Sequence, residues 1–154
     1  MSIKDDYIVT GKIHLLLVDA NGNIKDERSI NNLVVNAGLA FITSRILGTA
    51  STIMGYMAVG LGGATTELPA QTALTSELSR VALTSAQAAT TTATNDSVQY
   101  VGVFPAAGVA GAINEAGIFN ATPTGGTMFA RKTFGVVTKA LADTLTITWV
   151  ITAA

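Results

Sequence analysis

The chain has 154 residues, of which 49% are hydrophobic and only 12% charged, with a mean hydropathy of +0.46 and a formal net charge of −1. An ordinary soluble domain carries about 25% charged residues, so a chain of this length and balance is expected to form one domain buried in contacts, with little electrostatic protection against association. The charge balance supplies no basic stripe for a phosphate backbone, which excludes nucleic acid as an expected partner, and the absence of cysteine excludes disulfides and thiolate metal ligands.

Charge is concentrated at the start. Nine of the nineteen ionic side chains (Lys4, Asp5, Asp6, Lys12, Asp19, Lys25, Asp26, Glu27 and Arg28) lie in residues 1–31, a segment expected to be a solvated hairpin or attachment arm separate from a β-sandwich domain over 32–154. The hairpin is legible as an aliphatic, β-branched run from Tyr7 to Asp19, turn chemistry at Asp19-Ala-Asn-Gly-Asn23, and a return over Ile24–Ile30. A helix follows. Asn36 is placed to cap it, Leu39, Ile42 and Ile46 share a face, Arg45 suits its C-terminal dipole and Gly48 terminates it.

From there the pattern is that of strands. Met54–Leu61 ends at Gly62-Gly63; residues 64–71 form a loop containing Pro69; Thr72–Ser79 suggests a short helix, and Arg80–Ser85 resumes a strand. The Thr- and Ala-rich stretch Ala86–Asn95 has little to bury and is expected to be a mobile loop, or one ordered by a neighbouring subunit. Strands are predicted over Ser97–Phe104, Ala112–Asn120 and Met128–Phe134, the last two joined by a turn at Thr122–Gly126. In the final strand Leu145, Ile147, Trp149 and Ile151 alternate with Thr144, Thr146, Thr148 and Thr152, the mark of a sheet with one face on a core. The core is predicted to include Trp149, Ile147, Leu145, Phe119, Phe134 and Tyr100. Seven or eight strands with one short α-helix predict a mainly β fold, an antiparallel β-sandwich or jelly roll.

Two membrane signals are missing. The longest charge-free stretches, Val81–Asn95 and Ser97–Asn114, are interrupted by Thr runs or by Gly102, Pro105, Gly108 and Gly111, short of the roughly 20 apolar residues that a spanning helix needs. The charged Met1–Asp6 segment lacks the apolar stretch of an export signal.

Catalytic chemistry finds few candidates. His14 is the only histidine; it sits between Ile13 and Leu15 in a strand, where a structural role is expected. Asp5 and Asp6 are adjacent near the start, and Asp26 and Glu27 fall on opposite strand faces, so neither pair is held around a substrate. Gly60-Leu-Gly62-Gly63 lacks the Lys-Ser/Thr of a phosphate loop and reads as a strand-end turn. Glu115 is the only acid between Asp96 and Asp143, with Arg131 and Lys132 across a short turn as candidate partners in a structural ion pair that sets register. No enzyme activity, cofactor or metal is expected. Exposed aromatics for sugar binding are not expected either, because the one Trp lies in the most core-like strand.

The ordered series Asn32-Leu-Val-Val-Asn-Ala-Gly38, Tyr56-Met-Ala-Val-Gly-Leu-Gly62, Thr72-Ala-Leu-Thr-Ser-Glu-Leu-Ser-Arg80, Ile113-Asn-Glu-Ala-Gly-Ile-Phe119, Gly125-Gly-Thr-Met-Phe-Ala-Arg131 and Leu145-Thr-Ile-Thr-Trp149 resembles a group of small tailed-bacteriophage virion structural proteins. The resemblance spans roughly residues 32–152 and leaves residues 1–31 outside it. It implies a homo-oligomer, dimer or trimer, that decorates or cements a capsid by bridging major capsid subunits, located on the virion surface and assembled in the host cytoplasm. The same motifs recur in tail-fibre and collar modules, so the alternative it implies is a tail, collar or baseplate adaptor.

Overall fold

Alternation of apolar and Thr side chains makes the C-terminal strand two-faced, with Leu145, Ile147, Trp149 and Ile151 on the buried side. The computed structural model describes residues 8–49 and 52–153. In chain order it comprises β1 (Val9–Val18), β2 (Ile24–Val34), α1 (Asn36–Ile46), β3 (Tyr56–Gly60), β4 (Glu77–Ala82), β5 (Ser85–Ala89), β6 (Ser97–Phe104), β7 (Gly111–Phe119), β8 (Met128–Lys139) and β9 (Thr144–Ala153). The nine strands form one antiparallel sheet in the order β4-β3-β7-β8-β2-β1-β9-β6-β5.

The sheet curls on itself at two corners. β2 changes partner along its length: up to Asn32 it pairs with β1, whereas Leu33 and Val34 pair with Arg131 and Ala130 of β8. On the other side, the Leu83 N–H donates to the Gly55 carbonyl and the Thr84 N–H to that of Val101, so two residues carry the chain from β4 to β5. The two halves therefore face each other as in a sandwich, and Gly102 of β6 sits where a Cβ would crowd Met57 of β3. Trp149, Ile147, Leu145 and Phe104 are fully buried between the halves together with Ile13, Met57 and Ile118, and Phe119, Phe134 and Tyr100 are buried too. Each such apolar side chain contributes about 1.5–3 kcal/mol on burial. Trp149 also donates its indole N–H to Asn32 at 2.8 Å, an approach that requires Gly11 because a Cβ there would collide with the Asn32 amide.

The 31/32 boundary does not separate two units. It runs through β2, and β1 is paired on both sides, with β2 and β9. Ile13, Leu15 and Leu17 enter the common core, while Lys12, Asp19, Lys25 and Glu27 face outward or occupy the turn, so the local charge marks one strand face and a turn rather than an appendage. The Asp19 carboxylate accepts the N–H groups of Asn21 (2.8 Å) and Asn23 (2.9 Å), and Gly22 supplies φ 84 at the tip. Lys4, Asp5 and Asp6 lie outside the described residues.

Three local expectations change. Val35, not Asn36, is the N-cap of α1; no side chain caps it, and the Asn36 N–H donates instead to Pro69 at 2.8 Å. Gly38 is the buried helical residue because it lies against the Phe129 backbone, which turns Phe41 and Ile42 inward and leaves Leu39 and Ile46 exposed. The C-terminus closes as expected, with Gly48 at φ 69 and paired N–H bonds from Gly48 to Arg45 and from Thr49 to Ser44. Residues 72–76 form no helix, and β4 begins at Glu77; part of the stretch expected as a loop over Ala86–Asn95 is strand β5.

Candidate functional site

Glu115 of β7 and Arg131 of β8 are diagonal neighbours, Glu115 lying opposite Thr133 and Arg131 opposite Gly117. The guanidinium donates to Oε2 from Nη2 at 2.7 Å and from Nε at 3.1 Å, and both side chains are 0% exposed. The carboxylate also accepts the backbone N–H groups of Gly62 (2.9 Å), Thr75 (3.1 Å) and Ser76 (2.8 Å). Arg131 spends its remaining donors on the Thr65 and Gly62 carbonyls, Gln71 Oε1 and Thr75 Oγ1. Every contact of this ion pair ties loop 61–76 down onto the outer face of β7 and β8, under which Leu74 joins a second small core with Phe119, Met128 and Val35. A fully hydrogen-bonded buried pair of this kind fixes one geometry and leaves no proton acceptor open to a substrate.

Gly60 and Gly62 are explained by the same carboxylate, and Gly63 by the neighbouring Asn114. A Cβ at Gly62 would collide with Glu115 Oε1, and one at Gly63 with the Asn114 carbonyl, while the N–H groups of Gly62 and Gly63 bind Glu115 Oε1 and Asn114 Oδ1. The loop cradles an anion, but the anion is the protein's own side chain. Close backbone approach, invisible to a reading of turn propensity, is what demands glycine there.

Lys132 does not join Arg131 at Glu115. The next residue along β8, it pairs instead with Glu67 of the same loop at 2.9 Å, on the carboxylate oxygen that also accepts from the Thr133 N–H and hydroxyl. Burial pulls the Glu67 pKa up, but hydrogen bonds from Thr133 and Lys132 outweigh it and hold the carboxyl below its ordinary value. His14 pairs with Glu27 across β1 and β2 at 3.0 Å, and Asp26 is held by Arg28 on the other face of β2. No cluster of three or more His, Asp or Glu able to hold a metal occurs among the described residues. Trp149 offers no sugar platform, being 0% exposed.

Several of the exposed aliphatic side chains gather around α1, while Ile24, Leu68, Val136 and Leu141 are exposed elsewhere and a larger, more polar hollow of about 720 Å³ lies over Lys12, Asn31 and Thr152. Four hollows border the helix: one of about 450 Å³ between α1, the start of β6 and the end of β9, one of about 450 Å³ between α1 and Ile8, one of about 280 Å³ between α1 and β5, and one of about 300 Å³ between α1, Asn120 and Thr127. Ile46 (78% exposed), Leu47 (76%) and Ile53 (62%) stand at this end, with Ile8 and Leu39 beside them. Arg45 and Asp96 are the ionic residues lining the first hollow. The missed signal is the Ile46-Leu47 pair running on past the inward-facing turn of the helix. The opposite end is ionic, where Asp143 accepts from Lys25 at 2.6 Å and Lys139 donates to the carbonyls of Pro105 and Val109. Comparison of the chain with protein-family models, with curated proteins and with solved structures finds no match.

Proposed function

We propose that the protein is a virion structural component, a capsid decoration or cement protein that docks its α1 end on major capsid subunits and works as a homo-oligomer. The observation that carries this reading is the unpartnered aliphatic surface of Leu39, Ile46 and Leu47 on a chain with only 12% charged residues. Exposed apolar side chains scattered singly need no explanation, but several bordering the same helix mark an interaction surface. The motif series from Asn32 to Trp149 supports the choice of a bacteriophage particle as the assembly. Loop 61–76, locked by Glu115 and Arg131, keeps the sandwich rigid, which lowers the ordering cost of each docking event. Repetition over a symmetric shell then multiplies a modest contact.

The test is to purify particles, count copies by quantitative mass spectrometry, strip the protein and add it back. Cement is expected at a copy number comparable with the major shell subunit, and Ile46→Asp with Leu47→Asp is expected to abolish re-binding while leaving the fold unchanged. A copy number far below that of the shell subunit favours a tail, collar or baseplate adaptor. Absence from finished particles refutes both.

A further inference from the structure

β4 and β5 are the two ends of the sheet, and only one of them is guarded. β4 carries Glu77 and Arg80, paired at 2.7 Å, and its ladder with β3 is broken by a bulge at Val59/Gly60. Charge and bulges are the devices that keep an edge from pairing with another chain. β5 has neither. Its sequence Ser85-Ala-Gln-Ala-Ala89 holds no charge, proline or glycine, its register with β6 runs unbroken from Ser85–Val101 to Ala89–Ser97, and the chain has no ionic residue from Val81 to Asn95. Among the described residues no strand pairs with its outer edge. Alongside lies the hollow of about 280 Å³ lined by Phe41, Ile53, Met54, Ala86, Ala88 and Val98, of which Ile53 and Val98 stay exposed.

We propose that β5 is a self-association edge: the β5 strands of two copies pair antiparallel about a two-fold axis at Gln87, joining their sheets into one. In that register Ser85 opposes Ala89 of the second copy, Ala86 opposes Ala88, and Gln87 opposes itself. The occupant is a second copy because the strand is self-complementary in volume and charge, with small neutral residues on both sides of an amide that both donates and accepts. Gln87 already reaches across to Gln99 at 3.3 Å, and a mate extends that row. Ala86 and Ala88 border the hollow, so strand addition brings the hollows of the two copies side by side and covers Ile53 and Val98. A two-fold contact closes and leaves no free neutral edge, whereas a head-to-tail one would run on. Five paired residues and their flanks bury less than the roughly 800 Å² per partner of a standard interface, so the association is expected to be weak and concentration-dependent.

This deepens the homo-oligomer part of the function proposed above, and its test uses the isolated protein, so particle docking stands or falls separately. Sedimentation velocity over a concentration series is expected to show a monomer–dimer equilibrium. Gln87→Lys, at an exposed position, sets two ammonium groups opposite each other and is expected to weaken the dimer by about tenfold or more with unchanged circular dichroism. Because the chain has no cysteine, Gln87→Cys creates a lone thiol; paired residues on antiparallel strands lie about 4.5–5.5 Å apart at Cα, within disulfide reach, so mild oxidation is expected to cross-link it. Ser79→Cys, on the guarded edge, is expected to stay uncrosslinked. A wild-type monomer at every concentration, a trimer, or a dimer that Gln87→Lys leaves intact and Gln87→Cys does not cross-link overturns the proposal.

Discussion

Replacing Glu115 by Ala tests the ion pair on which loop 61–76 rests. The substitution removes both carboxylate contacts of Arg131 and strands three backbone N–H groups, those of Gly62, Thr75 and Ser76, in a site with no exposure. Breaking a buried pair by removing one partner costs about 3–5 kcal/mol. Arg131 keeps the Thr65 and Gly62 carbonyls, Gln71 and Thr75 as acceptors, and the loop can open locally to hydrate the stranded amides, so the expected loss is at the lower end, about 3 kcal/mol. With a urea slope of about 1–3 kcal/mol/M, that moves the midpoint down by about 1–3 M. Glu115→Gln keeps an acceptor for the amides and is expected to lose about 2 kcal/mol. The double variant Glu115→Leu/Arg131→Met, which removes both charges together, is expected to cost less than Glu115→Ala alone. Urea unfolding followed by Trp149 fluorescence reads all three. A loss under about 1 kcal/mol for Glu115→Ala, or a double variant that costs more than Glu115→Ala, refutes the reasoning.

Trp149→Ala removes the largest fully buried side chain and the hydrogen bond to Asn32, and a loss of about 3–5 kcal/mol in chemical denaturation is expected. Deleting residues 1–31 takes away β1 and most of β2, and the remainder is expected to lack a cooperative unfolding transition, checked by calorimetry. Asp96 accepts N–H bonds from Ala93, Thr92 and Thr91 and the Ser97 hydroxyl, which hold its carboxyl well below the usual carboxylate range. A lowered folded pKa means that the contribution of this turn is complete above the unfolded value of about 3.9 and lost as pH falls toward the folded one. Amide exchange at Thr91–Ala93 is expected to lose protection only in strong acid, and in Asp96→Asn to be fast already at neutral pH.

Legibility in the sequence followed how local the deciding contact is. β9 was readable because period-two alternation with Thr states both faces at once, and the Asp19–Asn23 turn because its donors lie within the turn itself. The partnership of Glu115 with Arg131 could be anticipated from a lone acid in an apolar strand near a basic pair, yet the second acid that takes Lys132, Glu67, comes from a loop far off in sequence. α1 defeated a reading of bulk hydrophobicity because its inward position is Gly38, chosen for backbone clearance against Phe129. β5 was hidden because Ser, Ala and Gln have weak strand preference and no alternation; its pairing with β6 makes the strand. Residues 72–76 took their path from Glu115, a residue far off in sequence whose carboxylate binds the amides of Thr75 and Ser76.

The distribution of charge in the folded chain gives the surfaces different tasks. Lys25, Asp143 and Lys139 serve the end where β1 turns into β2, and Glu67, Lys132, Glu115 and Arg131 serve the loop over β7 and β8. Each of these groups is used internally, so the few ionic side chains hold turns and loops in place instead of keeping neighbours away. What they leave uncovered is aliphatic around α1 and neutral along β5. Two such surfaces at one end, one aliphatic and bordered by hollows, the other a bare strand edge, suit two contacts that differ in kind. A strand edge gives directional hydrogen bonds and one register, hence a defined pair of copies. An aliphatic patch gives affinity without direction, hence attachment that follows whatever geometry the pair presents. Introducing charge at Gln87 should therefore reduce attachment to particles through loss of pairing alone, whereas charge at Ile46 and Leu47 should abolish attachment and leave the pairing whole.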